Sequence, residues 1–185
     1  MARTQFWTAA LFIAAITLLS FGAVATTTLP RETVVPLSDV TKYFPDVTVE
    51  SGTGQNETQV GSPMASISVV FTSADGKKKV TLSVDQYANS DEATAAYDTA
   101  VEGSKVAPGF KAAETPNLGQ AAFAGSSQVG DEMHFGLGAR DGRLIISATH
   151  AGDIPVTPEN TKSLIDLSDA ELTTAKQALG PSGSN

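Results

Sequence analysis

The chain has 185 residues, with 12 basic and 20 acidic side chains, a formal net charge of −8 at pH 7, and no cysteine. This acidic balance makes nucleic acid and anionic lipid surfaces poor partners. The absence of cysteine excludes disulfides, thiolate metal sites, thiol nucleophiles and a lipid-bearing cysteine, and the length fits one domain. Stability must therefore come from the core.

Residues 1–25 have the pattern of a signal peptide. Arg3 precedes an uncharged apolar run over residues 6–24, and the small residues Ala23 and Ala25 mark a cleavage site. We predict export to the periplasm or to the cell exterior. The apolar run is long for a signal peptide, so an uncleaved membrane anchor is the alternative, and both cases export the domain.

The segments after the cleavage site predict a lead-in, a short helix and a loop. Residues 26–36 contain two prolines and no apolar periodicity, which predicts a flexible lead-in. The sequence LSDVTKYFP at 37–45 predicts a helix with Ser38 as its N-cap and Pro45 at its end. Residues 51–63 are rich in Gly, Ser, Thr and Asn, which predicts a loop.

A β-hairpin is predicted over residues 64–87, with Asp75-Gly76 at its turn and positive φ at both turn positions. Its register pairs Phe71 with Val80, Val69 with Leu82, Ile67 with Val84, and, on the other face, Ser66 with Asp85 and Ser68 with Ser83. Because one face is apolar and the other polar, turn chemistry and register agree.

An amphipathic helix capped by Ser90 follows, with its apolar positions at Ala93, Ala96, Tyr97 and Ala100. The pattern then weakens over residues 106–129. This stretch predicts two short strands around a proline turn, with a lid as the alternative.

A second hairpin with Asp141-Gly142 at its turn is predicted to join residues 132–140 to 143–150. Its predicted register pairs Phe135 with Ala148, Leu137 with Ile146, and Ala139 with Leu144. Thr157 and Pro158 then start a terminal helix that ends before Gly180, and residues 181–185 are predicted to be a disordered tail.

Together these elements predict one α+β domain over residues 37–180, an antiparallel sheet built from two Asp-Gly hairpins with helices packed on one face. The matching order and spacing of the two hairpin-helix units suggest that a ββα unit is used twice. Chance similarity of two common units is the alternative.

His134 and His150 are the only histidines. The predicted register puts His134 on the polar face and His150 on the apolar face, so no metal site is predicted from this pair. A one-residue shift would bring the rings together, but it would also set apolar residues against polar ones. No cofactor motif is visible either.

Other short motifs have ordinary structural explanations. GSSQVG at 125–130 lacks the spacing of a hydrolase nucleophile turn, and GLGARDG at 136–142 lies in a strand, where a nucleotide loop does not occur. Lys77–Lys79 fits an exposed strand better than an anion site. Asn56-Glu57-Thr58 matches an N-glycosylation pattern in an exposed loop, to which we assign no function.

SDEATAAY at 90–97, LGQAAF at 118–123 and TPEN at 157–160, arranged around a hairpin, resemble small exported bacterial domains. These domains occur as lipoproteins or as extracytoplasmic sensor parts, and some have a PsbP-like fold. The resemblance covers residues 64–179 and implies an exported α+β domain. The chain departs from the lipoprotein members because it lacks their cysteine, and the resemblance assigns no functional residue.

These observations favour a non-catalytic envelope protein that binds a protein partner or an apolar small molecule, through the sheet or under the helices. One alternative is an enzyme with a dispersed acid-base site, for which His134 beside Asp131 and Glu132 is the candidate centre. Another is a structural or adhesive surface protein. Membrane contact is predicted only through residues 6–24, in the case where this segment stays uncleaved.

Overall fold

A computed structural model describes residues 26–57 and 59–180, so the predicted signal segment and the predicted tail lie outside the described residues. The strands are β1 (Thr27–Thr28), β2 (Val47–Gly54), β3 (Ala65–Ser73), β4 (Lys78–Gln86), β5 (Lys111–Ala112), β6 (Ala121–Val129), β7 (Glu132–Asp141) and β8 (Leu144–Gly152). The helices are α1 (Leu37–Tyr43), α2 (Ser90–Lys105) and α3 (Pro158–Leu179), and a 3-10 turn spans Arg31–Thr33. The predicted α+β class is confirmed.

The strands form one sheet in the order β1-β3-β4-β8-β7-β6-β5, with β2 also pairing with β3. Pairing is antiparallel except between β1 and β3. The β3–β4 and β7–β8 hairpins lie side by side because β4 pairs with β8. The centre of the sheet is therefore made of the two hairpins that the sequence predicts.

The register of the first hairpin is confirmed, since Phe71 lies opposite Val80 and Ser66 opposite Asp85. Its turn differs from the prediction, because Gly76 has φ +73° and no described residue other than glycine has positive φ. The Asp75 carboxylate instead accepts hydrogen bonds from the Ser73 hydroxyl at 2.6 Å and the Lys77 amide at 3.1 Å. Asp75 thus stabilises the turn through its side chain.

The predicted register of the second hairpin is wrong by two residues. Asp141 pairs with Leu144 and Phe135 with His150, which makes Gly142 and Arg143 the central turn residues. Gly142 alone has positive φ, +58°, as a type II′ turn requires of its first central residue. A shift of two residues leaves every side chain on its predicted face, so alternation alone could not detect it.

The two faces of the sheet carry different helices. On one, the α3 face, Ile146 packs with Leu164 and Leu167 in the main core. On the other, the α2 face, Ile145 packs with Tyr97 in a smaller cluster. The prediction that the helices share one face is therefore wrong, because adjacent residues of β8 are buried on both sides. A repeated ββα unit would place both helices on one face, so this arrangement also argues against duplication.

Helix starts depend on local capping groups. The side chain of Asn89, and not the predicted Ser90, accepts the Glu92 amide at 2.9 Å at the start of α2. Thr157 caps α3 as predicted. α1 begins after Pro36 without a side-chain cap, so the predicted role of Ser38 is wrong.

The weakly patterned stretch over residues 106–129 contains two strands, β5 and β6, as predicted. β6 pairs with β7 along its whole length, and the Phe110 and Phe123 rings stack with centroids 5.6 Å apart. The stretch is therefore part of the sheet and does not form a lid. Residues 51–54, predicted as loop, complete β2, because β3 provides a hydrogen-bonding edge.

The predicted flexible lead-in at residues 26–36 is wrong. Leu29, Val34 and Val35 are 5%, 1% and 0% exposed and belong to the main core. β1 adds to the edge of β3, and the Val35 amide donates to the Glu171 carboxylate at 2.8 Å. Outside the 3-10 turn, residues 26–36 run as extended backbone, which their two prolines favour. Their lack of apolar periodicity therefore reflects an extended conformation and does not indicate mobility.

Replacing Val35 with alanine is expected to lower the free energy of unfolding by about 2 kcal/mol, because it leaves a cavity in the core. Val49→Ala, at a position that is 40% exposed, is the matched control and should change it by less than about 0.5 kcal/mol. Urea unfolding measures both. Equal effects of the two substitutions would contradict the packing of this segment.

Candidate functional site

A cleft on the α2 face lies between α2, the loop after β2 and the sheet, and we call it the α2 cleft. Its volume is about 280 Å³ including open solvent, but the cavity itself measures only about 20 Å³, room for one water-sized group. The lining residues are Asn56, Val60, Asp85, Tyr87, Ala96, Ala100, Ile145 and Ser147. The cleft therefore combines small apolar walls with a few polar groups.

Asp85 is the charged residue that lines this cleft. It lies near the end of β4, opposite Ser66 on β3 and Ile145 on β8, and it is 5% exposed. Its Oδ2 accepts from Asn56 Nδ2 at 2.9 Å. Its Oδ1 is buried and has no hydrogen-bond partner among residues 26–57 and 59–180.

Burial disfavours the charged form of this carboxyl. It raises the pKa of Asp85 to about 7, and the hydrogen bond from Asn56 lowers it by a smaller amount. Asp85 therefore changes its charge near neutral pH. A buried acceptor without a donor is costly, which makes Oδ1 a point where a bound donor would be stabilised.

Two hydrogen bonds connect the loop after β2 to the sheet beside the α2 cleft. The Asn56 amide donates to the Ser66 hydroxyl at 3.2 Å, and the Tyr87 hydroxyl donates to the Val60 carbonyl at 2.6 Å. They fix one wall of the cleft relative to the sheet. Asn56 itself is 5% exposed, so the amide of the glycosylation pattern is inaccessible in the folded domain, although residues 51–55 and Glu57 beside it are exposed.

His134 lies on β7, on the α2 face, and is 3% exposed. Its Nε2 is 3.5 Å from Glu132 Oε2, and Ser127 is its neighbour on β6. Burial lowers the pKa of His134, and the nearby Glu132 opposes that shift. The structure thus brings Glu132, but not Asp131, to this histidine. His134 does not line the α2 cleft.

His150 is a core residue on the α3 face, with its ring 6.0 Å from Phe44 and 5.6 Å from Phe135. Burial is the main cause that lowers the pKa of His150 to about 4. His134 and His150 occupy opposite faces of the sheet. Within the described part of the chain, no group of three or more His, Asp or Glu side chains is placed to hold a metal ion.

Glu171 is a second buried carboxyl, which the sequence analysis missed. It is 0% exposed on α3, and its Oε2 accepts from the Val35 amide at 2.8 Å. Burial raises the pKa of Glu171 to about 8, while the Val35 amide and then Arg31 oppose the shift. Its position seven residues after Leu164, in the apolar stripe, is the signal that could have identified it as buried.

A second cleft lies near the start of β4, with a volume of about 350 Å³ including open solvent and a cavity of about 100 Å³, larger than that of the α2 cleft. Phe44, Ile154 and Asn160 line it together with Lys78, which forms an ion pair with Asp46. Lys78 is thus satisfied within the protein, consistent with the structural interpretation of the lysine run. This cleft lacks the buried, unpaired carboxyl oxygen that the α2 cleft has.

The fold defines an α+β domain whose mainly antiparallel sheet carries helices on both faces and a cleft under one of them. A similar solved structure is the extracellular domain of PknH from Mycobacterium tuberculosis, with a TM-score of 0.52 and 7% identity, covering 76% of this chain and 93% of that chain. At this identity the similarity concerns the fold. No protein-family model and no curated protein matches the chain.

Among the described residues, none of the helices has the length and apolar character needed to cross a membrane.

Proposed function

We propose that this chain is an exported, non-catalytic binding domain that takes a small molecule with an apolar portion into the α2 cleft. The observation that carries this proposal is the buried, unpaired Oδ1 of Asp85 in a cleft with small apolar walls. Sites for small molecules are typically apolar with a few well-placed polar groups. The α2 cleft has this composition.

Export is supported by the signal pattern of residues 1–25 and by a fold similar to that of an extracellular domain. Periplasmic or secreted location, retention through residues 6–24, and membership of the PsbP-like group remain predictions of the sequence. The proposal concerns the domain after residue 25 and holds in each case.

A small molecule is favoured over a protein partner by the distribution of apolar surface. The exposed large apolar side chains belong to separate elements, namely Val49, Met64, Val106, Met133 and Val156. Protein-binding surfaces usually present contiguous apolar patches. An enzyme centred on His134 is less well supported, because His134 and Glu132 lie outside the cleft.

The test is a titration with 1-propanol, a neutral probe with a short apolar chain, followed by amide chemical shifts in ¹H–¹⁵N NMR spectra. We expect the largest shifts at Ala96, Ala100 and Ile145, which line the cleft. Ala100→Leu should weaken binding at least about tenfold by filling the cleft. Ala95→Leu, on the exposed side of α2, should leave binding unchanged.

Circular dichroism and thermal unfolding establish that both variants fold. Shift changes scattered over other surfaces, or equal binding to wild type and Ala100→Leu, would contradict the proposal.

A further inference from the structure

We propose that the α2 cleft is specific for a small organic cation, a primary ammonium on a short alkyl chain, whose charged group pairs with Asp85. This inference rests on the proposed function, because it assigns the ligand class of the same cleft. It follows from the partners of Asp85, the charges around the cleft and the size of its cavity.

The first argument is the unmatched charge of Asp85. The lining residues include no lysine or arginine, and Asn56 Nδ2 is the donor bonded to its Oδ2. A neutral donor would satisfy Oδ1 but leave an ionised carboxylate buried without a counter-ion. An ammonium provides a donor and an opposite charge together, which is how buried charges are usually stabilised.

The second argument is size. The cavity, about 20 Å³, holds one group as large as a water molecule or an ammonium. Val60, Ala96, Ala100 and Ile145 also line the cleft and provide apolar surface for a short alkyl chain. The cleft therefore has room for one compact charged group beside apolar surface.

The third argument is the field of the whole protein. The chain has a formal net charge of −8, which attracts cations and repels anions. An anionic ligand would place its charge beside the Asp85 carboxylate. Cations are therefore favoured both during approach and in the bound state.

An ammonium pairs only with ionised Asp85. Because burial favours the protonated form of this carboxyl, Asp85 must lose its proton when the ammonium binds. The ammonium keeps its own proton throughout. Affinity should therefore increase as pH rises through the pKa of Asp85, about 7. Tyr87 lines the cleft with Asp85, and burial and then Asp85 raise the pKa of its hydroxyl. Arg140 lies opposite Ile145 on the same face but does not line the cleft, and Glu132 and Lys79 lie near His134.

The experiment compares n-propylammonium chloride with 1-propanol by NMR titration in 150 mM salt, which screens general attraction to the acidic surface. At pH 8 we expect wild-type protein to bind propylammonium at least about tenfold more tightly than propanol. Asp85→Asn should abolish that preference, so that the two probes bind with similar affinity. Glu171→Gln, which removes a buried carboxyl on the opposite face, should keep the preference.

The pH dependence of the wild-type protein decides the matter even if Asp85→Asn fails to fold. We expect the ratio of the two affinities to fall at least about fivefold between pH 8 and pH 5.5. A ratio near one at pH 8, or one independent of pH, with propanol bound in the cleft, overturns the cation inference alone. Absence of cleft binding by both probes overturns the proposed function as well.

Discussion

Gly152→Ala is expected to lower the free energy of unfolding by at least about 3 kcal/mol. Gly152 ends β8 with φ +72°, and a Cβ atom there would lie 1.9 Å from the Lys77 carbonyl oxygen. That oxygen cannot easily move, because it accepts the Asp153 amide at 3.0 Å. The added methyl group must therefore separate the end of β8 from the start of β4.

Gly76→Ala is the matched control for this substitution. Gly76 has almost the same φ, +73°, but nothing lies within 4 Å of its Cβ position. Gly76→Ala should lower the free energy of unfolding by about 1 kcal/mol, the usual cost of placing a residue other than glycine in left-handed backbone. Urea unfolding of both variants isolates the steric part, and equal losses would show that β8 and β4 do not meet so closely here.

Stability is expected to decrease by roughly 2 kcal/mol between pH 6.5 and pH 8.5. Asp85 and Glu171 have folded-state pKa values raised to about 7 and about 8. The folded state therefore retains protons that the unfolded state releases. The stabilisation from these two protonated carboxyls is complete at pH values below the pKa values of the unfolded state. It is lost as pH rises through the pKa values of the folded state.

His150 acts in the opposite direction at lower pH. Its folded pKa, lowered to about 4, means that the unfolded state takes up a proton first as pH falls below about 6.5. Stability is lost as pH falls from there toward 4, which offsets the gain from the two carboxyls in that range. The decrease above pH 6.5 should therefore be the clearest feature of the profile.

Urea unfolding of variants at a series of pH values shows which carboxyl causes the loss of stability between pH 6.5 and pH 8.5. Glu171→Gln keeps an oxygen acceptor for the Val35 amide and should remove the larger share of the slope, and Asp85→Asn a smaller share. Asp166→Asn, at a side chain that is 42% exposed, should leave the slope unchanged. A flat wild-type profile from pH 6.5 to 8.5 would show that the two carboxyls are hydrated or ionised in the folded state.

The sequence predicted those parts of the fold that depend on local signals. Alternation identified both hairpins and the faces of their strands, and Thr157 with Pro158 located the start of α3. It could not distinguish registers two residues apart, which the conformation of Gly142 decides. It also could not assign α2 and α3 to opposite faces, because that depends on how both sides of β8 pack.

The α2 cleft could not be predicted from local sequence patterns, because it depends on contacts between distant parts of the chain. Asp85 was expected on the polar face of the first hairpin, and its burial results from α2 and from Asn56, which is 29 residues away in sequence. Glu171 differs, since its spacing from Leu164 placed it in the apolar stripe of a helix. Attention to charged residues at apolar positions would have found Glu171 but not Asp85.

The most direct test of the α2 cleft as a cation site is a ¹³C NMR titration of the Asp85 side-chain carboxyl, with and without propylammonium. The structure predicts that Asp85 titrates with a pKa of about 7 in the free protein, and that saturating propylammonium lowers this pKa while propanol does not. Titration of Asp85 in the ordinary range of aspartate, unchanged by either probe, would contradict the account.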